Sequence, residues 1–321
     1  MKIFITGATG FIGRHLVKAL AGAGQVLYLL VRDKKQANFL NNNDNIVLVE
    51  GDIQQVESYR QIFDEQLDLV YHLAAISGQK WGADESEYYR INVLGTANLL
   101  EVCQGKIGRF IFCSSINAVS HNGFRRDPYG KSKWQAEQLV EAAGLAGMET
   151  VTLRPAVVYG PGGLEGMILK LCQLVQRGKF FRIGSGNNVI PLVYVDDLVA
   201  ALILAGTTPM SGKAVTCEII GPDSPTLGEA VELMARNLGV EPSRLSIPLP
   251  AARLAAFLSE VIFGILQREP LITQHRLDTI INHRPHLNSR KAEQELGYAP
   301  RVPFDQGIAT TIAWFRQQGY L

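Results

Sequence analysis

The sequence predicts an α/β fold: a doubly wound parallel sheet followed by a smaller C-terminal α+β domain. Three observations carry that prediction. Short, nearly uninterrupted apolar runs alternate with amphipathic stretches through the first half, the pattern of parallel strands covered on both faces by helices. A glycine-rich turn follows the first apolar run and opens the first amphipathic one. After Gly160 the alternation loosens, and prolines such as Pro161, Pro191, Pro222 and Pro250 mark the joints.

Taken in order, strands are predicted at Lys2–Thr6, Leu27–Val31, Ile46–Glu50, Leu69–Leu73, Arg109–Ser114 and Thr150–Val158. Helices fall between them at Gly10–Ala23, Val56–Gln66, Glu85–Cys103 and Pro128–Ala143. Further helices follow at Met167–Arg177, Asp196–Ala205, Thr226–Leu238, Ala251–Leu266 and Phe304–Gln317, with a strand at Val215–Ile220. The first domain is therefore read as residues 1–160, with 193–221 returning to it. The second, mainly for substrate, is read as 161–321, closing a cleft over the carboxyl edge of the sheet, where open α/β folds bind ligands.

Bulk properties exclude several classes. The 321 residues carry 31 basic and 30 acidic side chains without a basic block, which leaves nucleic acid nothing to grip. Cys103, Cys113, Cys172 and Cys217 are scattered without a CxxC pair, so neither a disulfide framework nor a metal site is expected, and a reducing cytoplasm suits them. Met1-Lys2-Ile3-Phe4-Ile5 runs straight into a motif and leaves no room for a signal peptide. The most apolar stretch, Leu254 to Leu266, is interrupted by Ser259 and Glu260 and bounded by Arg253 and Arg268. That is no membrane span; it reads as a buried or interface helix, with a helix resting on a membrane beside an apolar substrate as the alternative.

The glycine-rich turn is Thr6-Gly7-Ala8-Thr9-Gly10-Phe11-Ile12-Gly13. Gly7 permits the tight turn, Gly10 lets backbone approach a pyrophosphate, and Gly13 allows close helix–strand packing, while the helix N-terminus offers amides to the anion. The spacing alone is weak, because Gly160-x-x-Gly163-x-x-Gly166 repeats it later, where it reads as a loop between domains. Position after an N-terminal strand makes the first copy a dinucleotide cradle, and hence the sheet Rossmann-type. At the end of the second strand, the place of the ribose-binding carboxylate holds Val31, followed by Arg32. A guanidinium there suits the 2′-phosphate of NADP; NAD, served by Asp33, is the alternative.

Tyr129-Gly130-Lys131-Ser132-Lys133 is the one Tyr-x-x-x-Lys of the chain, preceded by Asp127 and Pro128 as N-cap and first helical residue. One turn apart on a helix, Lys133 is expected to lower the Tyr129 pKa, so that the phenol exchanges a proton with a substrate oxygen near neutral pH. Most isolated matches are exposed helical turns. This one follows a Ser114-Ser115 pair that ends a predicted strand, from which a hydroxyl can orient the reacting oxygen.

With TGATGFIG, Gly51-Asp52, Tyr71-His72-Leu73-Ala74-Ala75, Asn92 in INVLGTANLLE, the Ser-Ser pair, YGKSK, LRPAVVYGPG and Val193-Tyr194-Val195-Asp196-Asp197 in that order, the chain resembles the extended short-chain dehydrogenases/reductases. The closing stretch from Lys291-Ala292 through Leu296-Gly297-Tyr298 to Trp314 is similar too, so the resemblance spans nearly the whole chain. It implies a catalytic triad of Ser115, Tyr129 and Lys133. It implies that Asp52 meets the adenine, Ala74 lines the cofactor groove, Pro155 to Val157 lie near the nicotinamide, and Asn92 sits in the helix supporting the lysine. The whole expected cofactor set is Gly7, Thr9, Gly10, Phe11, Ile12, Gly13, Arg32, Asp52, Ile53, Leu73, Ala74, Ala75, Asn92, Tyr129, Lys133, Pro155 and Val157. The resemblance also implies a homodimer through the helices at Glu85–Cys103 and Pro128–Ala143, to which Ile91, Leu94, Leu99, Trp134 and Leu139 would contribute.

The departures are informative. Only 14 positions separate Ser115 from Tyr129, fewer than in typical sugar-nucleotide epimerases. Ile116-Asn117-Ala118 offers no acid for dehydration. Ile190 stands where many nucleotide-sugar enzymes hold a diphosphate-binding arginine, leaving Arg182, Arg284 or Arg290 as substitutes. These differences move the chain toward a branch similar to 3β-hydroxysteroid dehydrogenases and dihydroflavonol reductases. The leading expectation is hydride transfer between NADP(H) and a secondary alcohol or ketone. A nucleotide-sugar epimerase with tightly held NAD, and a non-catalytic NADP-binding redox sensor, are the alternatives; the complete triad argues against the sensor.

Overall fold

In a computed structural model the residues described are 1–22, 24–40, 43–78, 84–119, 127–180, 182–183, 186–242, 246–266, 273–274, 277 and 287–321, without the side chains of 38–40 and 182–183. They divide into two compact units: Met1–Ala156 with Leu198–Ile219 and Asn288–Ala299, and Val157–Asp197 with Ile220–Leu287 and Pro300–Leu321.

The first unit is built on a seven-stranded sheet, all parallel, of β1 (Lys2–Thr6), β2 (Val26–Val31), β3 (Ile46–Glu50), β4 (Leu67–His72), β5 (Ile107–Cys113), β6 (Glu149–Pro155) and β10 (Ala214–Ile219). Their order is β10-β6-β5-β4-β1-β2-β3. Ile3, Phe4, Ile5 and Thr6 are all fully buried, so β1 shows the continuous apolar pattern of a central strand rather than alternation. The strand order reverses between β1 and β4, and a crevice opens beyond their carboxyl ends at such a point. The register pairs Thr6 with His72 there.

Helix α1 (Phe11–Leu20) follows β1 and buries Leu16, Val17 and Leu20. The predicted Glu85–Cys103 helix is three pieces, α2 (Glu85–Tyr88), a π-helical stretch Tyr89–Leu94 and α3 (Gly95–Cys103). Helix α4 (Pro128–Leu145) begins at an Asp127 N-cap, whose carboxylate accepts the Gly130 N–H at 2.8 Å. Its buried face, Lys133, Ala136, Glu137, Val140 and Gly144, keeps helical spacing, and Glu137 clamps Arg154 of β6 through two bonds of 2.9 and 2.6 Å. The predicted helix Val56–Gln66 is instead two 3-10 turns, Val56–Ser58 and Arg60–Asp64. They are parted at Tyr59, whose hydroxyl bonds Ile53 O while its ring packs with Phe4 and Phe63.

The predicted strand Thr150–Val158 is also divided, because Ala156 ends the run and β7 (Val157–Tyr159) pairs with β9 (Leu192–Tyr194) in a small sheet of the second unit. There α5 (Met167–Gln176), α7 (Leu227–Leu238) and α10 (Phe304–Gln317) enclose Cys172, Met234, Ile308 and Phe315. Asp197 accepts the N–H groups of Arg301 and Val302, and Asp223 that of Phe304, which anchors the approach to α10. A second small sheet joins β8 (Arg182–Ile183) to β11 (Ser246–Ile247). Helix α6 (Val195–Thr207) precedes β10, and α9 (Arg290–Leu296) was not legible in the sequence. Helix α8 (Leu249–Ile265) corrects the buried half of the buried-or-interface reading: it buries only Ala252 and Ala256, and Leu254, Phe257, Leu258, Val261, Ile262 and Ile265 are exposed.

Candidate active site

The cradle loop is shaped by steric need. Gly7 sits at φ +72°, and a Cβ there would meet Ala74 N and Leu73 C at 2.7 Å. A Cβ on Gly13 would lie 2.1 Å from Gly7 O. Gly13 thus packs the helix onto the loop itself, at Gly7 and Ala8, rather than onto a strand as expected. The loop closes through Gly10 N–H to Gly7 O (3.0 Å), and Arg14 Nε bonds Thr9 O at 2.8 Å. Gly10 is the N-cap of α1, which has no side-chain cap and no acid in its first turn. An uncapped, acid-free helix start beside φ > 0 glycine suits a phosphate. Phe11 and Ile12 are half-buried, with the Phe11 ring edge-on to His15.

At the end of β2, Val31 is buried and Arg32 exposed. The Asp33 carboxylate accepts Lys35 N–H at 2.8 Å, a turn-forming bond. Asp52 likewise accepts Gln54 N–H at 2.8 Å, while Ile53 is buried beneath it, its carbonyl held by Asn98 and Tyr59, two supports the sequence reading missed. Leu73, Ala74 and Ala75 follow β4 half-buried. Pro155 ends β6 buried in the first unit, whereas Val157 belongs to the second.

A directed hydrogen-bond chain ties these parts together. Thr96 Oγ1 donates to Asn92 O (2.6 Å), so it accepts from His72 Nε2 (2.8 Å). His72 Nδ1 is then the acceptor of Thr6 Oγ1 (2.7 Å), which itself accepts Ala74 N–H (3.1 Å). Burial pushes the His72 pKa down to about 3, so the ring is neutral, as this chain requires. Asn92 continues the chain: its amide exchanges two bonds with Ile76 backbone (2.8 and 3.1 Å) and donates to Ser132 Oγ (2.9 Å), which donates to Tyr129 O (2.8 Å). Asn92 therefore holds the helix of Tyr129 rather than Lys133 directly. Thr6, His72, Thr96 and Ser132 were not singled out from sequence as site residues.

Tyr129 hydrogen-bonds Ser115, whose Oγ also accepts Asn117 N–H at 3.1 Å. Close approach of this turn requires Gly130, where a Cβ would meet Asn117 O at 2.5 Å. Ser114 Oγ, beside it, is buried with no hydrogen-bond partner. Lys133 is buried, donates to Cys113 O at 2.8 Å, and lies 4.6 Å from the Phe112 ring centroid. Burial lowers its pKa to about 8, against the opposing pull of Cys113 and Glu137. The expected lowering of the Tyr129 pKa is not what the structure shows. Burial raises it, Cys113 adds to the rise, and the Ser115 bond opposes it; Lys133 is not among its strongest influences, because its ammonium is turned to the Cys113 carbonyl.

Of the side chains assigned to a dimer face, Leu99 is fully buried and is corrected, while Ile91 and Leu139 are half-buried against the core. Leu94 and Trp134 are exposed. Ile190 is buried in the second unit's core. Arg290 is exposed at the start of α9, whereas Arg284 and the Arg182 side chain lie outside the described residues. Among the described residues no group of His, Cys, Asp or Glu could hold a metal ion.

The chain is similar to known proteins over nearly its whole length. The profile of the NAD dependent epimerase/dehydratase family matches residues 3–219. Sterol-4-alpha-carboxylate 3-dehydrogenase, decarboxylating, of Saccharomyces cerevisiae is 29% identical over 98% of this chain and 97% of its own. The 2-alkyl-3-oxoalkanoate reductase of Stenotrophomonas maltophilia is 27% identical over 96% and 97%. Among solved structures, MoeE5 in complex with UDP-glucuronic acid and NAD is 26% identical, with a TM-score of 0.74 over 99% of this chain and 100% of that one.

Proposed function

The chain belongs to the NAD dependent epimerase/dehydratase family, and from that premise we propose that it transfers hydride between NADP(H) and a secondary alcohol or ketone with an apolar body. It is an NAD(P)-dependent enzyme of the extended short-chain dehydrogenase/reductase type. The observation that carries the finer reading is the Tyr129–Ser115 hydrogen bond, with half-buried Tyr129 and buried Lys133 one turn apart on α4. Two relatives are named for chemistry at carbon 3, a dehydrogenase of a sterol carboxylate and a reductase of an oxoalkanoate, which supports the substrate class.

The residues fit the cofactor: the uncapped start of α1 with Gly7, Thr9, Gly10, Phe11, Ile12 and Gly13 for the diphosphate, Asp52 and Ile53 for the adenine, and Arg32 for the 2′-phosphate. Leu73, Ala74 and Ala75 line the groove, Lys133 takes the ribose hydroxyls, and Pro155 and Val157 serve the nicotinamide. When bound, NADP(H) supplies or accepts the hydride. In the reducing direction, Tyr129 donates its phenolic proton to the carbonyl oxygen and Ser115 Oγ aligns that oxygen. The raised Tyr129 pKa keeps the proton in place until it is needed. Lys133, charged below its pKa of about 8, stabilises the phenolate left behind once it turns from Cys113 O. Asn92 and Ser132 hold the first turn of α4, and so the Tyr129 backbone.

Tyr129→Phe tests the reading. Turnover in a screen of ketone-dependent NADPH oxidation is abolished, while NADPH affinity changes little; a variant with near-wild-type rate overturns it. The same screen with UDP-sugars addresses the nucleotide-sugar reading, which the ligands of MoeE5 favour and buried Ile190 disfavours. Interconversion without net cofactor turnover would establish that second reading. We also place the protein in the cytoplasm as a homodimer, through the exposed Leu94 and Trp134. Sedimentation showing a monomer at micromolar concentration removes the dimer.

A further inference from the structure

A phenol is only as well aimed as the ring that carries it. The Tyr129 backbone is held by Ser132 Oγ and its hydroxyl by Ser115, while the residue as a whole is half-buried. Tyr88 packs against its ring, with centroids 6.5 Å apart and planes tilted by 58°, an arrangement that aromatic pairs favour. Tyr88 ends α2, is only 1% exposed, and donates its hydroxyl to Gly78 O at 2.7 Å. Helix α2 is itself secured: the Asp84 carboxylate accepts Glu87 N–H at 2.9 Å, and Glu85 pairs with Lys131 of α4.

We infer that Tyr88 is a positioning residue for the proton transfer, its ring holding that of Tyr129 where the phenol meets Ser115. The inference rests on the reading of Tyr129 as the proton donor. The Tyr88 ring is fixed at both ends, by its helix and by its bond to Gly78 O, so it offers Tyr129 a rigid wall. Asn92, four positions further on, ties the same loop at Ile76 and the same turn of α4 at Ser132. One segment thus clasps both the loop after β4 and the start of α4. From Tyr89 that segment is π-helical, a winding found mostly at functional sites. Burial keeps the Tyr129 phenol protonated, and Tyr88 adds to that effect.

Kinetics of Tyr88→Leu, Tyr88→Phe and Tyr129→Phe test the inference, with the ketone that wild type reduces in the NADPH-oxidation screen. Tyr88→Leu lowers kcat by about ten- to a hundredfold, the cost of a misaimed reacting group. NADPH affinity stays nearly unchanged, because Thr6 and Asn92 still hold the loop at Ala74 and Ile76. Tyr88→Phe keeps the ring and recovers most of the wild-type kcat. A purely structural role would instead lower melting temperature and NADPH affinity together with kcat. Should Tyr88→Leu fail to fold, Tyr88→Met takes its place. Crystal structures of wild type and of the same variant give a readout that needs no substrate: the Tyr129 hydroxyl leaves Ser115. With Tyr129→Phe inactive, the inference is overturned by a Tyr88→Leu that turns over like wild type or keeps the Tyr129–Ser115 bond. A Tyr88→Phe as impaired as Tyr88→Leu, or NADPH affinity that falls with kcat, overturns it equally. An active Tyr129→Phe overturns the reading of the proton donor itself, and with it the role of Tyr88.

Discussion

Two stretches of this chain share one spacing and fold differently. In Gly7-x-x-Gly10-x-x-Gly13 the helix begins after the second glycine, and the third is carried inside it, against Gly7 O. In Gly160-x-x-Gly163-x-x-Gly166 the helix begins only after the third, at Met167. Gly160 does adopt φ +149°, with its hydrogen face against Val195, but a Cβ on Gly166 would find nothing nearer than Gly163 O at 3.7 Å. The spacing alone makes no cradle. What makes one is where the helix starts relative to the glycines, and so which glycines are sterically obligatory.

That difference is tested most severely at the third glycine. Gly13→Ala puts a methyl 2.1 Å from Gly7 O, both backbone-fixed, so loop and helix must part. The cost falls at or beyond the upper end of the roughly 1–3 kcal/mol typical of overpacking, and NADPH affinity should drop by about a hundredfold or more. Calorimetric titration and thermal melting check both. Unchanged affinity would mean that the loop is not the cradle.

The next largest effect concerns the polar chain behind the first loop. His72→Leu leaves Thr6 and Thr96 hydroxyls buried without their shared partner, costing about 2–3 kcal/mol. It also removes a pH dependence of known sign. His72 titrates near 3 when folded and near its ordinary 6.5 when unfolded, so between those values the unfolded chain binds the extra proton. Wild-type stability is full above about pH 6.5 and falls as pH drops toward 3, by at most about 1.4 kcal/mol per unit from this one group. Urea melts across that window should show a shallower slope for His72→Leu; equal slopes would refute the assignment of a neutral, buried ring.

The same chain marks what sequence makes legible. The cradle, Tyr129, Lys133 and the bounds of β1, β3 and α10 follow from local pattern, since each depends on neighbours within one turn or strand. Thr6 and His72 are 66 positions apart, and only the β1–β4 register brings them together. The π-helical stretch at Tyr89–Leu94 carries no distinct period, so it reads as ordinary helix. The face that Leu99 turns to the core depends on that local change of winding and on the packing of α3, neither of which composition reveals. The Lys133–Cys113 bond depends equally on tertiary placement: charge beside a phenol is visible in sequence, while the carbonyl that competes for the charge is not.

A smaller effect tests what the first loop is shaped to hold. Arg32 is exposed beyond β2, while Asp33 is occupied with Lys35 N–H. Loss of one charge-assisted bond to a 2′-phosphate, roughly 1.5–3 kcal/mol, weakens NADPH binding by about tenfold or more in Arg32→Ala and leaves NADH binding nearly unchanged. Equal loss of both cofactors, or a wild type that prefers NADH, would reduce Arg32 to a surface charge.

The smallest effect separates the two loops most sharply, because it uses one substitution at two equivalent caps. Gly10 and Gly166 are both N-caps with extended backbone, φ −73° and ψ 173° against φ −77° and ψ 165°, so neither needs glycine for its dihedrals. Serine is a better N-cap than glycine by a few tenths of a kcal/mol, and it restricts the unfolded chain further. Gly166→Ser should therefore raise the melting temperature slightly and leave NADPH affinity untouched. Gly10→Ser gains the same local cap, but its Cβ comes within 3.3 Å of Gly7 O and its hydroxyl takes the helix amides meant for the phosphate. Stability should then change little while NADPH affinity falls. If both serines leave affinity unchanged, the first loop holds no phosphate at its helix start, and the two motifs are equivalent after all.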